Sequence, residues 1–398
     1  LKQILCAPIF LAVVPMRRLD WVWQYSLVLI MGIPSALSAK LRWSAIDPVA
    51  VGHVRRLDAA GNPGQRPIEM RTLSINPPVF LVPGLLSHRE ADDLKDLAST
   101  QDFGSSVAGD QHIRQEREEF VKALGGKPEK ARRRLARFDL NRDGALNAQE
   151  LQKLALGLSM PNYGAAEHAD FVAHALGPEA LPDASVSFDS AIKARIAKYF
   201  VRLFSRSPHL KERFSDQVWL NHSNRVVRTL VDRAALVSGL PGSIVNRSED
   251  LQVVRYKVRG HYACHHDSSP DEIDEGEVRV ATLAVVLNDV ARGGETAFPG
   301  ANRDDAAAWG MDEWSEFEGR CQQTAACTRL GGVVIPPKKG DGIFWYNVRV
   351  DALPKLRRGD GNKALIWSSV HCGAEVLEGE KWFANLWLRW HPRTRVEL

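Results

Sequence analysis

The spacing of two histidines and one aspartate in the last third of the chain most constrains the fold. His265 and Asp267 lie two residues apart, and His371 lies far downstream of both. Side chains two residues apart in an extended strand share a face, so His265 and Asp267 can point at one metal ion while His266 points away. Because a single strand cannot offer three convergent ligands, His371 must come from a second strand that folds back opposite the first.

A further candidate strand begins shortly after His371 and has two unlike faces. One face would carry Lys381, Asn385 and Trp387, while Trp382 lies on the other, an alternation that is typical of a strand. If this strand lines a barrel, its first face points into the cavity. Two histidines and one carboxylate on one face of an iron ion leave its other coordination positions open, which is typical of non-heme Fe(II) sites.

The motifs of this region resemble those of the 2-oxoglutarate-dependent prolyl 4-hydroxylases, over roughly residues 76–103 and 208–392. In chain order, the motifs are Tyr256, His265-x-Asp267, Gly293-Gly294-Glu295-Thr296, Pro336-x-x-x-Gly340-Asp341, His371 and Lys381. The resemblance implies that His265, Asp267 and His371 bind Fe(II), and that Lys381 binds the distal carboxylate of 2-oxoglutarate. It further implies that Tyr256 and Thr296 contact 2-oxoglutarate and that Trp387 forms a cavity wall near the substrate. Related oxygenases usually carry Arg at the Lys381 position, so this lysine favours the prolyl hydroxylases.

The resemblance also implies a fold and an activity. The fold would be α+β, with a double-stranded β-helix (jelly-roll) oxygenase core, supporting helices, an inserted α-helical EF-hand domain and an N-terminal membrane helix. The activity would hydroxylate proline at C4 in a protein substrate, using O2, Fe(II) and ascorbate while 2-oxoglutarate is decarboxylated to succinate and CO2. Two alternatives stay open: a non-catalytic calcium-binding membrane protein with a vestigial oxygenase fold, and a 2-oxoglutarate oxygenase acting on lysine or another side chain.

The net charge of the chain limits the kinds of partner that it is expected to bind. The formal net charge is +4 and there is no long basic block, so the sequence indicates no nucleic-acid partner. The oligomeric state is left open by the sequence.

Residues 139–150 fit an EF-hand calcium loop at every side-chain position. The ligands would be Asp139, Asn141, Asp143, Ala145 through its carbonyl, Asn147 through a water, and Glu150. Gly144 would make the sharp turn, and flanking helices are predicted at Arg114–Phe138 and Gln149–Leu158. In a degenerate partner loop, Val186 would pair with Leu146 as a short bridge, without binding calcium.

An uncharged apolar run at Trp21–Ala39 is long enough to cross a bilayer as a helix. It predicts a signal anchor or a cleaved signal peptide, and either would send the chain into the secretory pathway. Glycosylation sequons at Asn221 and Asn246 and a loose retention tail at Arg395–Leu398 agree with this route. We therefore expect a single-pass protein of the endoplasmic reticulum membrane with a lumenal catalytic domain, which resembles the transmembrane branch of the hydroxylase family.

The domain organisation follows from where the hydroxylase pattern is interrupted. A strand and a helix start at Ser87 open the pattern, but its continuation appears only after residue 207, so a domain is inserted between them. The predicted segments are a signal anchor at 1–45, a linker at 46–75, the start of the catalytic domain at 76–103, an EF-hand domain at 104–207, the dioxygenase domain at 208–392 and a tail at 393–398.

Four of the five cysteines would lie in the lumen. Cys321 and Cys327 are close enough to bridge within one loop, and the sequence favours that pair. Cys264 and Cys372 adjoin proposed iron ligands and are expected to be packed thiols or a second bridge. No CxxC pair argues for a zinc site.

Overall fold

The computed structural model describes residues 45–58, 67–106, 118–119, 121–305, 310, 327–353 and 359–390. The predicted membrane helix at Trp21–Ala39 and the tail at 393–398 lie outside these ranges. Within them, no helix is both long enough and apolar enough to span a bilayer.

Two antiparallel sheets dominate the described structure. The main sheet has nine strands in the order β1-β2-β3-β15-β11-β18-β9-β8-β4, and the minor sheet has five in the order β14-β13-β16-β10-β7. The strands in chain order are β1 (Val54–Leu57), β2 (Ile68–Ser74), β3 (Val79–Val82), β4 (Gly104–Ser105), β5 (Ala145–Leu146), β6 (Val186–Ser187), β7 (Arg213–Phe214), β8 (Asp216–Leu220), β9 (Leu251–Tyr256), β10 (His261–His265), β11 (Val278–Val286), β12 (Arg292–Gly293), β13 (Thr296–Phe298), β14 (Val333–Ile335), β15 (Gly342–Tyr346), β16 (His371–Gly373), β17 (Val376–Glu378) and β18 (Lys381–Trp390).

The helices support the main sheet or belong to the insert. In chain order they are α1 (His88–Ser99), α2 (Pro128–Leu135), α3 (Ala148–Leu156), α4 (Ala165–Leu176), α5 (Phe188–Lys193), α6 (Ile196–Arg206), α7 (Arg225–Ser238), α8 (Gly242–Val245), α9 (Pro270–Glu275) and α10 (Gly361–Ala364). The predicted capping box is confirmed, because Ser87 accepts the Glu90 N–H and the Glu90 carboxylate accepts the Ser87 N–H. Glu90 also binds Arg233 through two oxygens at 2.8 and 2.9 Å, which ties α1 to α7.

The two faces of the main sheet pack against different partners. Leu283 and Val285 of β11 belong to a core with α1 and α7, whereas Ala284 and Val286 belong to a second core with Phe298 of the minor sheet. Strand β11 is therefore apolar at almost every position, as expected for a strand covered on both faces. The minor sheet thus lies against the face of the main sheet that is turned away from the helices.

The insert has a hydrophobic core of its own between residues 124 and 210. The predicted bridge is confirmed, because Leu146 pairs with Val186 in the short β5–β6 sheet. The prediction of one helix at Arg114–Phe138 is wrong, because the helix is interrupted within the residues that the structure describes. The chain turns at Gly125-Gly126, and α2 begins only at Pro128, because glycine weakens a helix and proline favours its first turn.

The insert begins and ends at neighbouring strands of the main sheet. Strand β4 precedes it and pairs with β8, with Gly104 opposite Gln217. The Ser106 N–H also donates to the Ser215 carbonyl at 2.9 Å.

The region predicted to be a linker contains two strands. β1 and β2 lie within residues 46–75 and form one edge of the main sheet. β1 is exposed or half-buried throughout, so its sequence carries few apolar residues, and its strand pattern is weak for that reason. The Gly/Pro-rich centre of the predicted linker, at 59–64, lies outside the described residues.

The predicted disulfide between Cys321 and Cys327 is wrong, because Cys327 is bonded to Cys372. Cys264 is also disulfide-bonded, so neither cysteine beside a proposed ligand is a free thiol. The predicted pair rested on proximity in sequence, whereas the observed partners are 45 residues apart and meet only in the folded structure.

Candidate active site

The three proposed iron ligands converge. β10 and β16 are antiparallel neighbours, and His265 stands directly opposite His371. Asp267 follows the end of β10, and its two carboxylate oxygens lie 3.6 Å from Nε2 of His265 and 3.7 Å from Nε2 of His371. One ligand atom from each residue lies within 4.8 Å of the other two, so the three side chains can hold one metal ion.

Backbone carbonyls orient both imidazoles. Nδ1 of His265 donates to the Ala263 carbonyl at 2.8 Å, and Nδ1 of His371 donates to the Ser369 carbonyl at 3.1 Å. Because a carbonyl can only accept, each Nδ1 carries the hydrogen and each Nε2 keeps its lone pair for a metal.

Asp267 is buried and held by a chain of hydrogen bonds from other strands. Thr282 donates to its Oδ2 at 2.6 Å, and Asn347 donates to the Thr282 hydroxyl at 3.0 Å. Burial alone would raise the pKa of Asp267, but the neighbouring His371 and His265 and the Thr282 hydroxyl outweigh it, so the pKa is lowered. Burial lowers the pKa of His371 to about 3. A carboxylate and a neutral imidazole are the forms that bind a metal.

Sequence reasoning missed Thr282 and Asn347. Thr282 is a lone hydroxyl within the apolar strand β11, and it is fully buried there. A buried hydroxyl in such an apolar run needs a partner, and this signal could have pointed to it.

Lys381 lies at the other end of the same pocket and is only 2% exposed. It stands opposite Tyr256 across β18 and β9, and its Nζ lies 3.3 Å from the Thr296 hydroxyl. Burial lowers its pKa to about 7, which the more distant Glu295 partly opposes. Among the residues that the structure describes, no carboxylate lies within ion-pair distance of Lys381, so this end of the pocket can accept an anion.

The pocket lies between the two sheets. Its lining includes Gln252, Tyr256, Trp345, Lys381, Phe383, Asn385 and Trp387 from the main sheet, and Tyr262, His265, Thr296 and His371 from the minor sheet. The prediction that Lys381, Asn385 and Trp387 share the inner face of one strand is confirmed. The Trp387 ring is covered by the Arg279 guanidinium at 3.9 Å.

Two further histidines near the proposed ligands point elsewhere, and for His266 this was predicted. The ring nitrogens of His261 lie 2.8 and 2.7 Å from the carbonyl oxygens of Arg259 and Lys211. Nδ1 of His266 lies 2.7 Å from the Ser268 carbonyl, and its Nε2 faces the Ile366 carbonyl.

The Gly293-Gly294 motif allows a close approach of strands. A Cβ on Gly293 would meet the Glu375 carbonyl at 2.3 Å, and its φ of +78° is unfavourable for other residues. A Cβ on Gly294 would meet Lys381 at 3.4 Å. The motif therefore shapes the wall beside the buried ammonium group.

The candidate calcium loop is exposed and held by its own backbone. Asp139 accepts the Gly144 N–H at 3.0 Å, and Glu150 accepts the N–H groups of Leu140 and Asn147 at 2.7 and 2.9 Å. Gly144 takes a φ of +77°, as the sharp turn requires.

Comparison with known proteins agrees with this geometry. Residues 251–389 match the 2OG-Fe(II) oxygenase superfamily. The chain is 27% identical to a transmembrane prolyl 4-hydroxylase of Homo sapiens, over 87% of this chain and 70% of that protein. For the Mus musculus protein of the same name the identity is 26%, over 87% and 69%. A probable prolyl 4-hydroxylase of Arabidopsis thaliana is 32% identical, over 42% and 50%.

These matches confirm the resemblance that the motifs predicted. Residues 251–389 form a 2OG-Fe(II) oxygenase domain, and this family implies Fe(II) and 2-oxoglutarate. The buried donor set of two imidazoles and one ionised carboxylate fits ferrous iron.

Proposed function

We infer that this chain, a homologue of the transmembrane prolyl 4-hydroxylases with a 2OG-Fe(II) oxygenase domain, hydroxylates C4 of proline in a protein substrate. The observation that carries the proposal is the pairing, in one pocket, of the His265–Asp267–His371 cluster with the buried ammonium group of Lys381. The names of the homologues support proline over lysine as the substrate side chain.

The proposed metal ligands and the proposed co-substrate-binding lysine lie at two different ends of the pocket. His265, Asp267 and His371 would hold Fe(II), and Lys381 would bind the distal carboxylate of 2-oxoglutarate. Tyr256 and Thr296 would line the co-substrate, since both contact Lys381, and Trp387 would form the wall nearer the protein substrate. When bound, Fe(II), 2-oxoglutarate and O2 supply the oxidising chemistry, which yields succinate, CO2 and hydroxyproline.

The chain's own groups prepare this chemistry without acting as acids or bases. A proline C4–H bond is unpolarised, so no side chain of the pocket could remove its hydrogen as a proton. Thr282 holds Asp267 as a carboxylate, and the carbonyls of Ala263 and Ser369 orient the imidazoles. Burial of the site keeps water away from the reacting groups. Ascorbate would maintain the metal in its ferrous form.

We interpret the two facing sheets as a double-stranded β-helix and residues 104–207 as an inserted EF-hand domain. The separate core of the insert, between residues 124 and 210, supports an inserted domain, although β4 at its start belongs to the main sheet. The turn at Gly144 and the inward-facing Glu150 carboxylate support calcium binding within residues 139–150, with ligands from Asp139 to Glu150. Calcium would modulate the activity.

We place the protein in the endoplasmic reticulum membrane, with the catalytic domain in the lumen. Both sequon asparagines, Asn221 and Asn246, are exposed and accessible to glycosylation. The Cys327–Cys372 disulfide agrees with an oxidising compartment. The uncharged run at Trp21–Ala39 would supply the anchor.

A peptide-library turnover assay tests the activity. Peptides incubated with the protein, Fe(II), ascorbate and 2-oxoglutarate are expected to gain the mass of one oxygen atom at proline, together with one succinate per modification. The His371→Ala variant should form neither product. Succinate without modified proline would point to another substrate side chain, and no succinate at all would favour a vestigial, non-catalytic fold.

A further inference from the structure

Trp345 of β15 carries a polar group that the activity described so far does not use. Its side chain is 1% exposed, and its indole N–H has no hydrogen-bond partner. The residue lines the pocket, and its ring packs edge-on against His371 with a centroid distance of 4.6 Å. Buried N–H groups are nearly always paired, so this donor needs an explanation.

The other tryptophans show that the fold can satisfy buried indoles elsewhere. The Trp382 N–H donates to Glu380 at 2.8 Å, and the Trp367 N–H donates to the Asn362 carbonyl at 3.1 Å. Neither of these residues lines the pocket, whereas Trp345 and Trp387, which both line it, leave their N–H groups unpaired. The unpaired indole N–H groups therefore belong to tryptophans that line the pocket, where a bound ligand can accept their hydrogen bonds.

The neighbours of Trp345 show which end of the pocket its side chain borders. Its ring contacts His371, which belongs to the metal cluster, and Phe298 at 5.2 Å. Lys381 contacts Thr296 and Phe383 at the other end. The carboxylate nearest the metal end, Asp267, already faces the two imidazoles and accepts from Thr282, so it is not a free acceptor.

We propose that the indole N–H of Trp345 donates a hydrogen bond to the keto-acid end of 2-oxoglutarate and thereby sets co-substrate affinity together with Lys381. This proposal rests on the proposed function. It assigns one donor to each end of the dicarboxylate: an ammonium group for the distal carboxylate, and a neutral N–H for the keto-acid oxygens. Trp345 is then a binding residue as well as part of the wall.

The test compares two ligands and three variants by anaerobic calorimetry on the Fe(II)-loaded protein. Pyruvate shares the keto-acid end of 2-oxoglutarate but lacks the distal carboxylate. Trp345→Phe should weaken both ligands by about the same factor, on the order of tenfold. Lys381→Met should weaken 2-oxoglutarate alone. Trp382→Phe, which loses an indole N–H outside the pocket, should change neither affinity.

A second measurement separates the hydrogen bond from the shape of the ring. Replacing Trp345 with benzothienylalanine keeps the bicyclic shape and removes only the N–H, and it should reproduce the loss of affinity. In ¹⁵N-tryptophan spectra of the wild type, the indole signal that Trp345→Phe removes should shift when 2-oxoglutarate is added.

The outcomes distinguish this proposal from the function on which it rests. If the wild type binds 2-oxoglutarate and the Trp345 variants bind it within about twofold of the wild type, the hydrogen bond is absent and the proposed function stands. A loss for 2-oxoglutarate without a loss for pyruvate would place the donor at the wrong end and overturn the proposal. If the wild type binds neither ligand, both proposals fall.

Discussion

The candidate iron site and the candidate calcium loop are built in opposite ways. The proposed iron ligands lie on β10, just after it and on β16; His371 is distant in sequence from the other two, and Asp267 accepts a hydrogen bond from Thr282 of β11. The calcium ligands lie in one run at residues 139–150, which is largely exposed and shaped by its own N–H groups. The first site therefore depends on the register of whole sheets, whereas the second depends on a local turn. Substitutions at one site should therefore leave ligand binding at the other site unchanged, and calcium should modulate turnover only modestly.

The largest expected effect is that of His371→Ala, which removes a proposed iron ligand. Turnover should fall by roughly a thousandfold or more, because the metal that supplies the chemistry is no longer held. Hydroxyproline formation and iron content measure the loss, and calcium binding should be unchanged. The exposed His53 offers a matched control, since His53→Ala should leave turnover intact. Turnover within about tenfold of the wild type would exclude His371 as a ligand.

Lys381→Met should raise the KM for 2-oxoglutarate by about 10- to 100-fold, because a charge-assisted bond in a buried pocket is lost. The kcat at saturating co-substrate should change much less, since the interaction serves binding. Steady-state succinate assays measure both constants. Lys339→Met is the control, because Lys339 pairs with Asp92 outside the pocket. An unchanged KM in Lys381→Met would remove this residue from the co-substrate site.

Thr282→Val should weaken Fe(II) binding by about tenfold, because Asp267 loses a 2.6 Å hydrogen bond while the volume of the side chain is kept. Metal titration of the two proteins measures the change. Thr72→Val removes another buried hydroxyl, which donates to the Pro48 carbonyl at the sheet edge, and should leave iron affinity unaltered. Equal effects of the two variants would mean that the loss reflects general stability and not the site.

The affinity for 2-oxoglutarate should fall as pH rises above 7. Burial lowers the pKa of Lys381 to about 7 in the ligand-free protein, so the ammonium form that binds a carboxylate predominates below this pH and is lost above it. The expected slope is at most about tenfold per pH unit. Calorimetry between about pH 6 and 9 measures it. Lys381→Arg, whose guanidinium stays charged, should flatten the profile. The same slope in both proteins would assign the dependence to another group.

The smallest effect on turnover is expected for Glu150→Gln in the calcium loop. The variant should lose most of its calcium affinity, because the proposed bidentate ligand is gone, yet turnover should change by less than about threefold. Calcium titration and the hydroxylation assay measure the two effects on the same sample. Glu129→Gln, an exposed change in α2, should alter neither. A collapse of turnover in Glu150→Gln would show that the two sites are not independent.

Local patterns in the sequence predicted what is local in the structure. The Ser87–Glu90 capping box followed from a three-residue spacing, and the Leu146–Val186 pair followed from the calcium-loop pattern and its degenerate partner. The shared face of Lys381 and Asn385 followed from the two-residue period of a strand.

The sequence could not predict features that depend on which strands become neighbours. Cys327 meets Cys372, and Thr282 meets Asp267, only through the packing of distant segments. The edge strand β1 lacks an apolar pattern because little of it is buried. The unpaired N–H of Trp345 is likewise invisible in sequence, since partners must be located before one can be found missing.

The pairing of β4 with β8 has a consequence for the history of the protein. The two ends of the helical insert leave the sheet side by side, with the Ser106 N–H bonded to the Ser215 carbonyl. A shorter connection from β4 to β7, the edge strand beside β10, would leave β10 and β16 in place. An ancestral gene could thus acquire or shed the whole helical segment in one recombination event, and the oxidising chemistry would survive the exchange.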